Sequence, residues 1–244
     1  MIILIPKVLS IEPFGASVVS SSPERAAADS AGTVPAQAGN VTELTISGYS
    51  VTQSWQGYFG NITGTIQLAD ANDNSLYNWT LASPQGEIYA SLNNTISWNN
   101  VQCFNFTANG TGGSGGEVSG ATNLGGINLT TLEAQFNIGE DDVDGVNETF
   151  YLTDHDEFYT SNLHFSANEC RSTRVYGNGG PADQQFEEVL LYEYSTGSFI
   201  FTALLEEDLQ GFDSAAHDFE MLVLEDGHGT DTASSSYYFY VELE

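Results

Sequence analysis

From position 41 onward the apolar residues of this chain recur with a period of two. Leu44 and Ile46 alternate with Thr and Ser, and β-rich runs follow at 58–68, 76–81, 88–92, 101–106, 132–138, 150–152 and 163–165. Clusters of Gly, Asn and Asp separate these runs, as turns between strands require. The pattern strengthens toward the C-terminus. Runs 186–194 and 199–205 flank Ser195-Thr196-Gly197, a hairpin with Gly where the left-handed conformation is needed. Runs 219–224 and 237–243 flank a Gly/Thr/Ser-rich loop, and only 206–212 reads as a single helical turn. Many short strands without intervening helices predict an all-β domain over residues 41–244. The expected form is an antiparallel β-sandwich, with Greek-key and jelly-roll connections both open. Tyr237, Tyr238, Phe239 and Tyr240 are consecutive aromatics that cover both faces of one strand, so both of its faces should be buried.

Residues 1–40 follow a different rule. An apolar start containing Ile2, Ile3, Leu4, Ile5, Val8 and Leu9 gives way to Ser/Ala/Gly/Pro-rich sequence. Pro6, Pro13 and Gly15 argue against a helix there. Such composition cannot bury enough apolar surface to fold alone, so it reads as an extended arm plus a linker. The arm is too short for the apolar core of a signal peptide and lacks a basic stretch before it. No apolar run reaches the ~18 residues of a membrane-spanning helix.

Eight Asn-x-Ser/Thr sequons, at Asn40, Asn61, Asn78, Asn93, Asn105, Asn109, Asn128 and Asn147, fall between positions 40 and 147. Composition alone would give about three or four, so this segment reads as built to carry N-linked glycans outside a cell. Acid dominates the rest, with 24 of the 33 Asp and Glu at or beyond Glu140. The net charge of -29 arises because Lys and Arg total only four. Nucleic acid and anionic membrane surfaces are poor partners for such a chain, since phosphate contacts need Lys and Arg. In an extracellular chain Cys103 and Cys170 read as one disulfide, which the chain-entropy model values at roughly 4 kcal/mol.

The chemical signatures are thin. Residues 112–116 match G-x-S-x-G, but neither the strand before nor the helix after that a nucleophile elbow requires is present. Asp70, Asn72 and Asn74, and also Asp142 and Asp144 in an acidic cluster from Glu140, offer oxygen ligands of the kind that hold Ca²⁺. Ordinary Asx turns explain them more simply. His155, His164, His217 and His228 lack metal-ligand spacing and read as surface loop residues. Glu187-Glu188 and Glu206-Glu207 are adjacent pairs, which on a strand point to opposite faces and make no ready glycosidase dyad. The acid run reads as a solvated face, and no cofactor is implied.

Residues 54–64 (SWQGYFGNITG), then Leu76-Tyr77-Asn78-Trp79 and the closing run 201–243, resemble a pattern in secreted proteins of archaea, over about a third of the chain. The chain is also similar in style to archaeal surface filament subunits, although the long N-terminal helix of archaeal type IV pilins is absent. The resemblance implies an archaeal cell-surface β-protein and little chemistry, and the chain is expected not to be an enzyme. The expected function is a structural subunit of a glycosylated filament or surface array, in which the N-terminal arm adds as a strand to a neighbour. The alternative is a secreted carbohydrate-binding module that uses Trp55 or Trp79 as a stacking platform.

Overall fold

The computed structural model describes residues 12–81, 84–106, 127–139, 142–229 and 233–243. It is mostly β, with 37% strand and 8% helix, as the period-two pattern demands. In chain order the elements are β1 (Phe14–Gly15), β2 (Trp55–Gly60), β3 (Thr65–Ala69), β4 (Ser75–Thr80), β5 (Gly86–Ser91) and β6 (Val101–Cys103). Helices α1 (Leu129–Gln135) and α2 (Val146–Thr149) come next, then β7 (Phe158–Thr160), β8 (Leu163–Phe165), β9 (Ser172–Tyr176), β10 (Gln184–Glu193) and β11 (Ser198–Leu204). The chain closes with β12 (Leu209–Gln210), β13 (Ala216–His217), β14 (Phe219–Leu224) and β15 (Tyr238–Leu243).

A seven-stranded antiparallel sheet in the order β1-β15-β5-β11-β10-β6 forms the centre. Strand β10 is long enough that β9 and β6 share one of its edges, pairing with residues 184–189 and 191–193 respectively. The β10–β11 hairpin closes as the sequence predicts, with Gly197 at φ 76° and its N–H on the Glu193 carbonyl.

Both faces of this sheet are buried. Ile88, Ala90, Leu190, Tyr192, Phe201 and Ala203 pack beneath the β2–β14 ribbon and the two helices. Tyr89, Val189, Leu191 and Ile200 face the other way, against Trp98, the Cys103–Cys170 bridge and the β7–β8 hairpin. The aromatic strand β15 meets its expectation only in part, since Tyr238 stays 43% exposed. Tyr237, just before it, and Phe239 join the first layer, while Tyr240 meets Trp98 on the second at 5.2 Å.

Three local expectations fail. Run 132–138 is not a strand: α1 occupies 129–135, because Leu129, Leu132 and Phe136 share one helical face toward the core. Asn128 caps it by accepting the Thr131 N–H at 2.9 Å. The turn at 206–212 is not helical and contains β12, paired to β13. Residues 41–51 alternate correctly but join no ladder, and Val41, Leu44, Ile46 and Tyr49 stay exposed. A strand pattern forms a strand only where an edge is offered, and the outer edge of β15 goes to β1 instead.

Candidate functional site

Of the eight sequons, Asn40, Asn61 and Asn78 are exposed, while Asn93, Asn128 and Asn147 are half-buried; Asn109 lies outside the described residues. Asn105 corrects the expectation that sugars coat the disulfide loop: its side chain is 1% exposed. It follows Cys103 and the fully buried Phe104, and the chain there dives into the core. Asn93 is tied down: its amide donates to the Thr95 carbonyl at 3.1 Å and to the Ser198 hydroxyl at 2.9 Å, while its oxygen accepts from Thr95.

Cys103 and Cys170 form the expected disulfide with Cα atoms 5.3 Å apart, both sulfurs buried. His155 lies beside it and corrects the reading of the histidines as surface residues. Its ring is buried, Nδ1–H donates to the Asp156 carbonyl at 2.7 Å, and Nε2 accepts the Cys170 N–H at 2.9 Å. Burial pushes its pKa down, because the imidazolium would lose its water. His217 is buried too, with Nε2 2.9 Å from Asp213.

The acid run is a solvated face only in part: Glu187, Glu188, Glu193, Asp218, Glu220 and Glu242 are buried, as are Glu87 and Glu133 before it. Most serve as acceptors for backbone N–H groups at sites where the chain leaves a ladder. Glu133 receives the Val146 N–H at 3.1 Å, Glu220 that of Phe212 at 3.0 Å, and Glu242 that of Ser161 at 2.9 Å. Glu187 and Glu188 point to opposite faces, as adjacent strand residues must. Glu187 meets Arg174 at 2.6 Å, whereas Glu188 accepts the Leu222 N–H at 2.8 Å. Desolvation raises the pKa of Glu133, Glu187, Glu188, Glu206 and Glu220.

The two Ca²⁺ candidates are placed in turns. Asp70 closes the β3–β4 turn, its carboxylate accepting the Asn72 and Asn74 N–H groups and the Asn74 amide, each at 2.9 Å. These bonds hold its pKa below the usual value. Asp142 accepts the Gly139 N–H at 2.6 Å and Asp144 accepts the Thr52 hydroxyl at 2.5 Å; Glu140 and Asp141 lie outside the described residues. Among the described residues no three His, Cys, Asp or Glu gather in a metal-binding group. The G-x-S-x-G segment, residues 112–116, is also outside them.

The aromatic candidates divide. Trp55 belongs to the core, against Phe150 and Phe201, with Nε1–H on the Asp144 carbonyl at 2.6 Å. Trp79 and Tyr77 stand in the open on β4, 50% and 60% exposed, with ring centroids 4.9 Å apart.

The assembly residues Ile2, Ile3, Leu4, Ile5, Val8 and Leu9 lie outside the described residues. The chain that follows them adds to the sheet edge as β1, with only two register pairs, Phe14 to Val241 and Gly15 to Tyr240. Ala16 adds one further bond to the Phe239 carbonyl, and Phe14 is still 67% exposed. From there residues 17–50 run exposed and outside every ladder, and Val51 is half-buried before the start of β2. Among the described residues no helix is long and apolar enough to cross a membrane. No protein-family model, curated protein or solved structure matches the chain.

Proposed function

We propose that the protein is a structural, non-catalytic subunit of a glycosylated extracellular filament or surface array, joined head-to-tail by its N-terminal arm. The observation that carries this reading is the strand addition at β1. An N-terminal segment pairs with the edge of the central sheet through two residues, at the end of a 34-residue exposed tether, 17–50. A flexible tether of that length has a root-mean-square span of about 33 Å. The N-terminal segment is held on the sheet edge by this short ladder, the buried Pro13 and the Asn99–Glu12 hydrogen bond, and a neighbour lies within the tether's reach. A strand contributed in trans makes a heterologous contact, which propagates into a fibre.

The surface supports the same reading. Three sequons are open, and N-linked sugars on them would supply the solubility that Lys and Arg give other proteins. The disulfide and the lack of a membrane-spanning helix among the described residues fit an extracellular site. Tyr77 and Trp79 keep carbohydrate binding as the second reading, because they are the open aromatic pair on the hairpin. Deleting residues 1–20 removes the arm together with β1. Loss of polymers from electron micrographs of the secreted protein is the expected result, and polymers in the deleted chain would refute the proposal.

A further inference from the structure

The hairpin β3–β4 is out of keeping with the rest of the fold. All eleven of its strand residues are exposed. Its register pairs Ile66 with Trp79 and Leu68 with Tyr77, so four large apolar side chains share one face. Thr65, Gln67, Asn78 and Thr80 share the other, which therefore carries the Asn78 sequon. Among the described residues each strand pairs only with its twin, leaving both outer edges open. A lone two-stranded hairpin is marginal in water, and a third strand or a packed face is what stabilises one.

We infer that the apolar face and open edge of β3–β4 receive residues 1–11 of a second copy, an inference that rests on the arm-mediated assembly proposed above. Three observations select this occupant. The arm supplies Ile2, Ile3, Leu4, Ile5, Val8 and Leu9, matching an aliphatic and aromatic face that a glycan on the opposite side leaves uncovered. Charge selects it too. In a chain of net charge -29 two copies repel over most of their surface, whereas the arm's one charged residue is Lys7 and the hairpin's acids, Asp70 and Asp73, sit at its tip. Position then favours a neighbour over the chain's own arm. Glu12 leaves the sheet on the Trp98 side, where its carboxylate accepts from the Asn99 amide at 3.2 Å. The hairpin root lies on the opposite side: Gly64 abuts Leu243, which shares a strand face with Phe239 and Val241 beneath the β2–β14 layer. Eleven extended residues span at most about 40 Å, and a chain docking on itself spends part of that rounding the sheet edge.

The test uses the full-length chain, its Leu68→Thr/Trp79→Thr and Leu68→Thr variants, and a synthetic peptide of residues 1–11. Threonine keeps the β propensity of these exposed positions, so circular dichroism should match wild type. The expected result is that polymers disappear from micrographs of the double variant. The peptide should shift the Trp79 emission of the wild-type monomer to the blue, and Leu68→Thr should weaken that binding roughly tenfold or more. A double variant that polymerises like wild type overturns this inference while leaving arm-mediated assembly standing. If wild type forms no polymers, the assembly reading fails, and the peptide decides the hairpin's role by itself: no emission shift overturns it. A peptide that binds only after residues 1–11 are deleted places the arm on its own hairpin and overturns the trans assignment. Concentration-dependent dimers of that deleted chain, abolished by Trp79→Thr, would show hairpin pairing with hairpin and overturn it equally.

Discussion

Glu188 offers the sharpest test of how this acidic chain holds its core. It lies on β10, opposite Ala203 of β11 and Thr173 of β9, and is 0% exposed. One carboxyl oxygen accepts the Leu222 N–H of β14 at 2.8 Å, and the other is buried without a hydrogen-bond partner. Burial drives its pKa well above the ordinary glutamate value, so the folded chain holds a proton that the unfolded chain releases near pH 4.3. Its contribution to stability is thus complete below that pH and is lost as pH rises toward the folded pKa. Over the pH range in which the two states differ by one proton the loss is about 1.4 kcal/mol per pH unit, which for a domain of this size is roughly 3 to 6 °C in Tm per unit. Glu188→Gln preserves the shape and an acceptor for Leu222 but has no proton to lose. The variant should melt close to wild type at pH 4 and progressively above it toward pH 7, as followed by circular dichroism melts across that range. A gap between the two proteins that stays constant from pH 4 to pH 7 would refute the reasoning. Glu133, Glu187, Glu206 and Glu220 shift in the same direction, and His155 opposes them, since its neutral ring favours folding only above the range where an unfolded histidine takes up its proton. Wild-type Tm should therefore hold or rise as pH falls from 7 to 4.

Replacing both Cys103 and Cys170 with Ala should cost about 4 kcal/mol in denaturant unfolding, and an unchanged midpoint would show that the closed loop is already ordered in the unfolded chain. Gly86→Ala should lower stability by about 2 kcal/mol or more: Gly86 sits at φ 120°, and a Cβ there would collide with the Glu242 carbonyl of β15. A melt within 1 °C of wild type would mean that the β5–β15 ladder yields without cost. Glycopeptide mass spectrometry of the secreted protein should find sugar on Asn40, Asn61 and Asn78 and bare Asn105; a glycan on Asn105 in natively folded material contradicts the buried placement.

The central sheet was legible because its strands carry the signal that physics rewards. Runs 186–194 and 199–205 are strongly apolar and joined by a turn with Gly at its left-handed position, and they became β10 and β11 almost residue for residue. The pairing of Cys103 with Cys170 followed from their being the chain's two cysteines. Run 132–138 misled because Leu132, Ala134, Phe136 and Ile138 satisfy a period of two while Leu129, Leu132 and Phe136 satisfy a helix. The deciding residue, Asn128, carries a sequon and a helix cap at once, and the sequon pattern says nothing of the cap. Buried glutamates such as Glu188 and Glu242 are illegible, since a carboxyl that accepts a backbone N–H from a segment distant in sequence leaves no local pattern. The openness of β3–β4 was equally hidden: its alternation of Ile66, Leu68, Tyr77 and Trp79 is that of any half-buried hairpin. Sequence periodicity states which face is apolar, not whether the same chain covers it.

Head-to-tail joining by the arm makes a quantitative demand that other modes of association do not. A chain lacking residues 1–20 retains the β15 edge and the β3–β4 hairpin, so it can accept a neighbour's arm but has neither the arm nor β1 to donate. Mixed with wild type, it should end every polymer it joins. Mean filament length in electron micrographs should then fall inversely with the fraction of deleted chain, to roughly ten subunits when one chain in ten is deleted. Filaments whose length is unaffected by that fraction, or which incorporate the deleted chain along their whole length, would contradict the account.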